Sequence, residues 1–189
     1  MGAAKLRLFV AVELPAAVRE HLQAVQDAIR PELPRVGWTR GENLHITIKF
    51  LGDTPEQLVK RVGGAMATRA DGVIRVRAEG LELFPRSGDI RIFSAGVVGD
   101  VNRLWALQDA VEANLAEQGY PREQRHYVPH ITLARGKEKI KSSVRPRVQR
   151  LASSFWPGPE FEVRELVLMQ SILEPGGARY VPLSRAAVV

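Results

Sequence analysis

The segment Asn43-Leu44-His45-Ile46-Thr47-Ile48-Lys49-Phe50 decides the fold, because the chain repeats its centre as His130-Ile131-Thr132-Leu133-Ala134-Arg135. Both runs are short, apolar and partly β-branched, and both read as strands. Side chains at i, i+2 and i+4 of a strand share a face. His45, Thr47 and Lys49 are therefore expected to point one way, with Ile46, Ile48 and Phe50 turned into a core. In the second copy His130, Thr132 and Ala134 stand opposite Ile131 and Leu133. Each strand carries one apolar face and one face with an imidazole beside a hydroxyl.

Outward from the first copy, Leu6 to Leu14 predicts a strand. Pro15 opens a helix in which Val18, Leu22, Val25 and Ile29 recur at helical spacing, and Pro31 and Pro34 end it. Trp38 to Asn43 reads as a loop into the His45 strand. Thr54-Pro55-Glu56 reads as an N-cap with proline at the first helical position, for a helix reaching about Ala70. Around the second copy, Val73 to Phe84 and Ile90 to Val97 read as strands. Asp100 to Gln118 reads as a helix with Leu104, Leu107, Val111 and Leu115 on one face, stopped by Gly119. Pro129 leads into the His130 strand, and Lys137 to Ser154 holds a basic helix that Pro146 should disturb. Phe161 to Leu173, a Pro-Gly-Gly turn and Ala178 to Leu183 form a final hairpin. The two halves have similar element order, and their histidines lie 85 residues apart. This predicts a diverged internal duplication, two lobes packed face to face in one domain spanning 1–189. Two copies at so long a period do not make a solenoid.

A length of 189 residues suits one domain, or two small lobes sharing a core. The absence of cysteine excludes disulfides, thiolate zinc sites and a cysteine nucleophile. The apolar run before Glu13 is too short for a signal-peptide core, and no segment approaches the roughly 18 to 20 apolar residues of a membrane span. The net charge of +6 favours polyanions, nucleic acid included, although the basic residues read as dispersed along the chain and equally suit a solvated surface.

If a pseudo-twofold axis relates the lobes, the two polar strand faces meet across a cleft. Imidazole has an ordinary pKa of about 6.5, so one ring can be neutral while the other is protonated near neutral pH. The neutral ring takes a proton from water and the protonated ring gives one to a departing oxygen, each transfer contributing roughly 10²- to 10⁴-fold. The two threonine hydroxyls suit non-bridging phosphate oxygens. The same four residues could instead pair with neighbouring strands and serve structure alone. No metal is required. His126 and His130 have a helical metal-ligand spacing, but Pro129 between them argues against a helix, and His21 reads as a helix-surface residue.

On these residues the chain resembles the two-histidine phosphoesterase superfamily, and within it the RNA 2′,3′-cyclic phosphodiesterases, also called 2′-5′ RNA ligases. The resemblance rests on RLFVAVELP, NLHITIKFLG, PHITLAR and PGGARYVPL, and on two His-x-Thr-x tetrapeptides at His45 to Ile48 and His130 to Leu133. It implies an α+β fold: a bilobal pseudo-twofold duplication with two antiparallel sheets flanked by helices around a central active-site groove. It implies metal-independent hydrolysis of a terminal 2′,3′-cyclic phosphate to a 2′-phosphomonoester, with no cofactor. His45 would be the proton donor and His130 the proton acceptor, with Thr47 and Thr132 on the phosphate. Arg135 would contact phosphate or RNA, yet strict alternation puts it opposite His130 unless the strand ends or bulges at Ala134. Phe9 would stack on a base or belong to the core, and Lys49 would add positive potential or stay solvated. The expected partner is RNA or a nucleotide bearing a 2′,3′-cyclic phosphate, met by a monomer in the cytoplasm without membrane association. ATP-independent 2′-5′ ligation of the same ends to a 5′-hydroxyl, and a non-catalytic RNA-end binding module, remain as alternatives.

Overall fold

The structure is a computed structural model describing residues 4–188, so Met1 to Ala3 and Val189 of the expected 1–189 domain lie outside the described residues. Its strands and helices run β1 (Lys5–Glu13), α1 (Ala16–Ile29), β2 (Val36–Trp38), β3 (His45–Pro55), α2 (Val59–Ala65), β4 (Arg75–Phe84), β5 (Ile90–Gly99), α3 (Val101–Ala116), β6 (His130–Ile140), α4 (Arg145–Ala152), β7 (Glu160–Glu162), β8 (Glu165–Glu174) and β9 (Gly177–Ala187).

The strands form one antiparallel sheet in the order β7-β4-β5-β6-β3-β1-β8-β9, with β2 paired to β6. The duplication is visible as a palindrome about the centre: β6 mirrors β3, β5 mirrors β1, and β4 mirrors β8. The expected two sheets are joined into one, because β3 and β6 share the pair Ile46–Ile131. The halves also exchange chain. β8 and β9, from the C-terminal end, complete the half built on β1 and β3, while β4 goes to the half built on β5 and β6.

The apolar stripes predicted for α1 and α3 are those observed buried: Val18, Leu22, Val25 and Ile29, and Leu104, Leu107, Val111 and Leu115. They join Leu8, Val10, Val12, Ile46 and Ile131 in the main core, which places the helices over that face of the sheet. Phe9, Ala11, Val167 and Met169 form a separate small cluster on the other face. The central run of β1 is buried on both sides, which is why it reads as continuously apolar instead of alternating.

Three local expectations are corrected. Thr54 is not an N-cap: β3 continues through Pro55, Thr54 is fully buried, and its hydroxyl accepts from the Tyr120 hydroxyl at 3.3 Å. Pro146 does not disturb α4 but sits in its first turn, where its missing N–H has no helical partner to lose. β6 extends to Ile140, into the stretch assigned to a basic helix, so α4 begins only at Arg145.

Candidate active site

Ile46 and Ile131, both fully buried, are the single pair at which β3 meets β6. Antiparallel register about that pair sets position 45 opposite 132, and 47 opposite 130. All four side chains then project from the face away from the helices, two and two about a pseudo-twofold axis. Diagonal neighbours of this kind stand about 7–8 Å apart, room for a phosphate between two imidazoles. His45, Thr47, His130 and Thr132 line one cavity of about 540 Å³, whose wall includes Arg7, Phe9, Arg135 and Tyr180.

Both rings are held in the same way. His45 Nδ1–H donates to the Asn43 carbonyl at 2.7 Å, and His130 Nδ1–H donates to the Val128 carbonyl at 2.8 Å. Each carbonyl lies two residues back, so the repeated motif supplies its own orienting contact. Fixing the proton on Nδ1 leaves Nε2 of each neutral ring as the acceptor. The Thr47 hydroxyl lies 3.0 Å from His45 Nε2. The His45 ring packs between Phe9, at 4.9 Å between centroids, and Tyr180, at 5.3 Å. Burial pushes the His45 pKa below its ordinary value; the Asn43 carbonyl opposes this, and the positive charge of His130 and Arg135 adds to it. Free His45 therefore prefers the neutral form.

Strict alternation fails at equivalent places in both motif strands. Val10 pairs with Lys49 and its neighbour Ala11 with Thr47, leaving Ile48 as an extra residue. Phe93 pairs with Ala134 and Ser94 with Thr132, leaving Leu133 as an extra residue. These are β-bulges, after which inward and outward positions exchange. Lys49 is consequently not on the His45 face: it is buried beneath α3, where its Nζ donates to Glu112 Oε2 at 2.5 Å and to the Pro121 carbonyl at 2.8 Å. Phe50, expected in the core, is 68% exposed on the cavity lip. Arg135 is carried round to the cavity by the bulge at Leu133, one residue before the position the sequence suggested.

Phe9 is both of its expected alternatives at once, 3% exposed yet part of the cavity floor. Thr39, Phe50, Tyr180 and Arg7 are wall residues that strand periodicity did not single out. One signal was available: Phe50 precedes Arg135 by the same 85 residues that separate the histidines. The halves also differ beside the threonines. The cross-strand row Glu82–Ser94–Thr132 is polar where its counterpart Val167–Ala11–Thr47 is not, and Ser94 Oγ and Glu82 Oε2 are buried without a hydrogen-bond partner.

A larger hollow of about 700 Å³ opens beyond His130, walled by Phe50, Phe84, Ile92 and the loop before β6. Tyr127 pins that loop by donating its hydroxyl to the Thr47 carbonyl at 3.0 Å. His126 lies on the same loop against Trp105, with centroids 5.3 Å apart, and not on a helix with His130. His21 is half-buried near Phe155 and Trp156, not a free surface residue. Of these two cavities the smaller is the candidate centre, because it is lined by both His45 and His130 and the larger by His130 without His45.

The sequence profile described as "LigT like Phosphoesterase" matches this chain twice, over residues 12–93 and 98–180, one histidine motif in each. The chain is 33% identical to the RNA 2′,3′-cyclic phosphodiesterase of Thermus thermophilus, over 95% of its own length and 89% of that protein's. It is 28% identical to the protein of the same name from Methanocaldococcus jannaschii, over 93% and 96% of the two chains. Its fold matches the crystal structure of E. coli LigT complexed with 3′-AMP with a TM-score of 0.76 and 25% identity, covering 98% of this chain and 99% of that one. The twice-matched profile and the full-length relatives together show that the chain belongs to the LigT-like phosphoesterase family.

Proposed function

We propose that the protein, acting as a single two-lobed domain over 1–189, hydrolyses RNA 2′,3′-cyclic phosphate ends to 2′-phosphomonoesters, with His45 as general acid and His130 as general base. The observation that carries the mechanism is the pair of Nδ1-anchored imidazoles sharing one cavity with Thr47 and Thr132. The relatives' shared name as RNA 2′,3′-cyclic phosphodiesterases, and the nucleotide in the E. coli LigT complex, support the substrate class.

His130 Nε2 removes a proton from water as the water oxygen bonds to phosphorus. The bond from phosphorus to the ribose 3′ oxygen breaks, and His45 Nε2–H protonates that oxygen. The phosphate stays on the 2′ oxygen. Thr47 and Thr132 donate hydroxyl hydrogen bonds to the non-bridging oxygens, and the Arg135 guanidinium offsets their growing charge. The substrate anion also offsets the depressed pKa of His45, which must be protonated to act. Solvent then exchanges the proton left on His130 for the one spent by His45.

The relevant experiment is turnover of a 2′,3′-cyclic nucleotide. Wild-type protein should release the 2′-monophosphate; a 3′-monophosphate would reverse the roles of the two rings. His45→Ala and His130→Ala should each lose at least about 10²-fold in kcat while keeping the wild-type circular dichroism. Turnover should continue in EDTA, and a loss restored by added divalent metal would overturn the mechanism. The hollow beyond His130 favours one second reading. It lies on the side from which the nucleophile enters, so a bound 5′-hydroxyl could replace water and give a 2′-5′ bond. The reading extends to a monomer acting in the cytoplasm, as suits a cysteine-free chain; among the described residues no helix is long and apolar enough to cross a membrane.

A further inference from the structure

The catalytic quartet is nearly symmetric, so by itself it does not say which way an RNA strand leaves the cavity. The two bulges break that symmetry. They place the cation Arg135 on one lip and the aromatic Phe50 at the equivalent position on the other. The charge around the two lips differs in the same sense.

Past Arg135, β6 runs on through Lys137 and Lys139, with Lys141 just beyond its end, beside the β4–β5 turn, which holds Arg86 and Asp89, and the start of β5, which holds Arg91. The register with β5 shows an arch: Ile92 pairs with Arg135 and Ile90 with Ile140, so residues 136–139 of β6 stand opposite Arg91 alone, while on the other side Gly136 pairs with Val36 of β2. Residues 86–91 and 135–141 hold six cations and two carboxylates, net +4 of the chain's +6. All eight side chains are exposed. One of the carboxylates, Glu138, is engaged by Arg35 at 3.3 Å, which leaves the flanking lysines uncompensated by it. Six of the 27 basic residues are thus brought together by the pairing of β5 with β6 at one end of the groove. The loop over the other hollow, 121–128, holds two arginines and one glutamate, and its Arg122 is paired with Asp109.

We propose that the body of the RNA, upstream of the cyclic end, leaves the cavity over Arg135 and lies along this cationic β5–β6 tip, which binds its phosphates without reading bases. This rests on the cyclic phosphodiesterase reading and adds the path of the strand. The contacts are electrostatic, so they should be sequence-independent and salt-sensitive. A cyclic mononucleotide fills the cavity but is too short to reach Lys137.

The test uses Lys137→Glu/Lys139→Glu, outside the catalytic machinery, with two substrates: a 2′,3′-cyclic mononucleotide and an eight-nucleotide RNA ending in a 2′,3′-cyclic phosphate. At low salt the variant should lose about tenfold or more in kcat/KM on the octamer and keep its wild-type rate on the mononucleotide. Its slope of log kcat/KM against log salt on the octamer should flatten by about 1.4, the value for two lost single-strand phosphate contacts. Arg86→Glu/Arg91→Glu should behave likewise from the facing turn and the start of β5, and Arg125→Glu on the opposite loop should not. An unchanged octamer rate in both double variants, or an equal fall on both substrates, overturns the proposed path. Failure of the wild-type protein to turn over either substrate would instead remove the underlying activity.

Discussion

At the residue scale, His45 carries a tension that can be measured. Burial, His130 and Arg135 favour its neutral form, yet the proposed role of general acid requires the protonated one. In free enzyme the protonated fraction is lost as pH rises through a value below 6.5, so the alkaline limb of kcat/KM should fall there. In the complex the substrate phosphate pulls the pKa back up, so the alkaline limb of kcat should lie at higher pH. Coincident limbs in the two pH profiles would show that His45 is not the acid. Replacing Arg135 with Gln removes one depressing charge and should move the kcat/KM limb upward while raising KM. Phe50 gives a second measurement. Its ring is exposed and 6.0 Å from Phe9, so Phe50→Ala should barely change stability. An exposed ring on the cavity lip suits stacking on a base, so its loss is expected to lower kcat/KM by about tenfold, alike for all four bases, since stacking contributes about 1–3 kcal/mol and every base has a π-face.

At the element scale, the bulges at Ile48 and Leu133 make a site out of two alternating strands. Each preserves the His-x-Thr face and then inverts the residues C-terminal to it, so Phe50 and Arg135 reach the cavity while Lys49 and Ala134 turn inward. Turning Lys49 inward requires a partner, and α3 supplies Glu112, with both side chains no more than 5% exposed. Glu112 Oε1 also accepts from Gln108 Nε2 at 3.2 Å, and Oε2 from the Glu123 backbone N–H at 3.2 Å, so the pair ties β3, α3 and the loop together. Removing one member strands a buried charge. Lys49→Ala should lower unfolding free energy by about 3–5 kcal/mol in urea titrations. The joint change Lys49→Met with Glu112→Leu should recover most of that loss. If the double variant were as unstable as the single one, the cost would lie in packing and not in the unpaired carboxylate.

At the scale of the whole molecule, the halves interlock by exchanging strands. β1 is central in its half only because β8, from the far end of the chain, pairs with it on the side away from β3. A chain ending at Arg164 would therefore expose the β1 edge and, having lost Val167 and Met169, uncover Phe9 and Ala11. Unfolding should be one cooperative transition, with tryptophan fluorescence and far-UV circular dichroism coincident in denaturant. Two separated transitions would mean that the lobes are independent and the strand exchange is energetically minor.

The sequence alone determined seven of the nine strands, missing β2 and β7, together with the two main helices, the duplication and the His-Thr face on each repeated strand. Those rest on local periodicity and on a repeat, which short stretches of chain carry within themselves. It could not place Lys49, Phe50 and Arg135, because a bulge depends on the partner strand: an extra residue exists only relative to the register opposite it. Nor could it show that two expected sheets join at Ile46 and Ile131, that Thr54 belongs to a buried strand end, or that six of the basic residues meet at one tip. Pairing between distant segments decided each of these, since long-range register and the burial it imposes are properties of the assembled sheet and of no single segment.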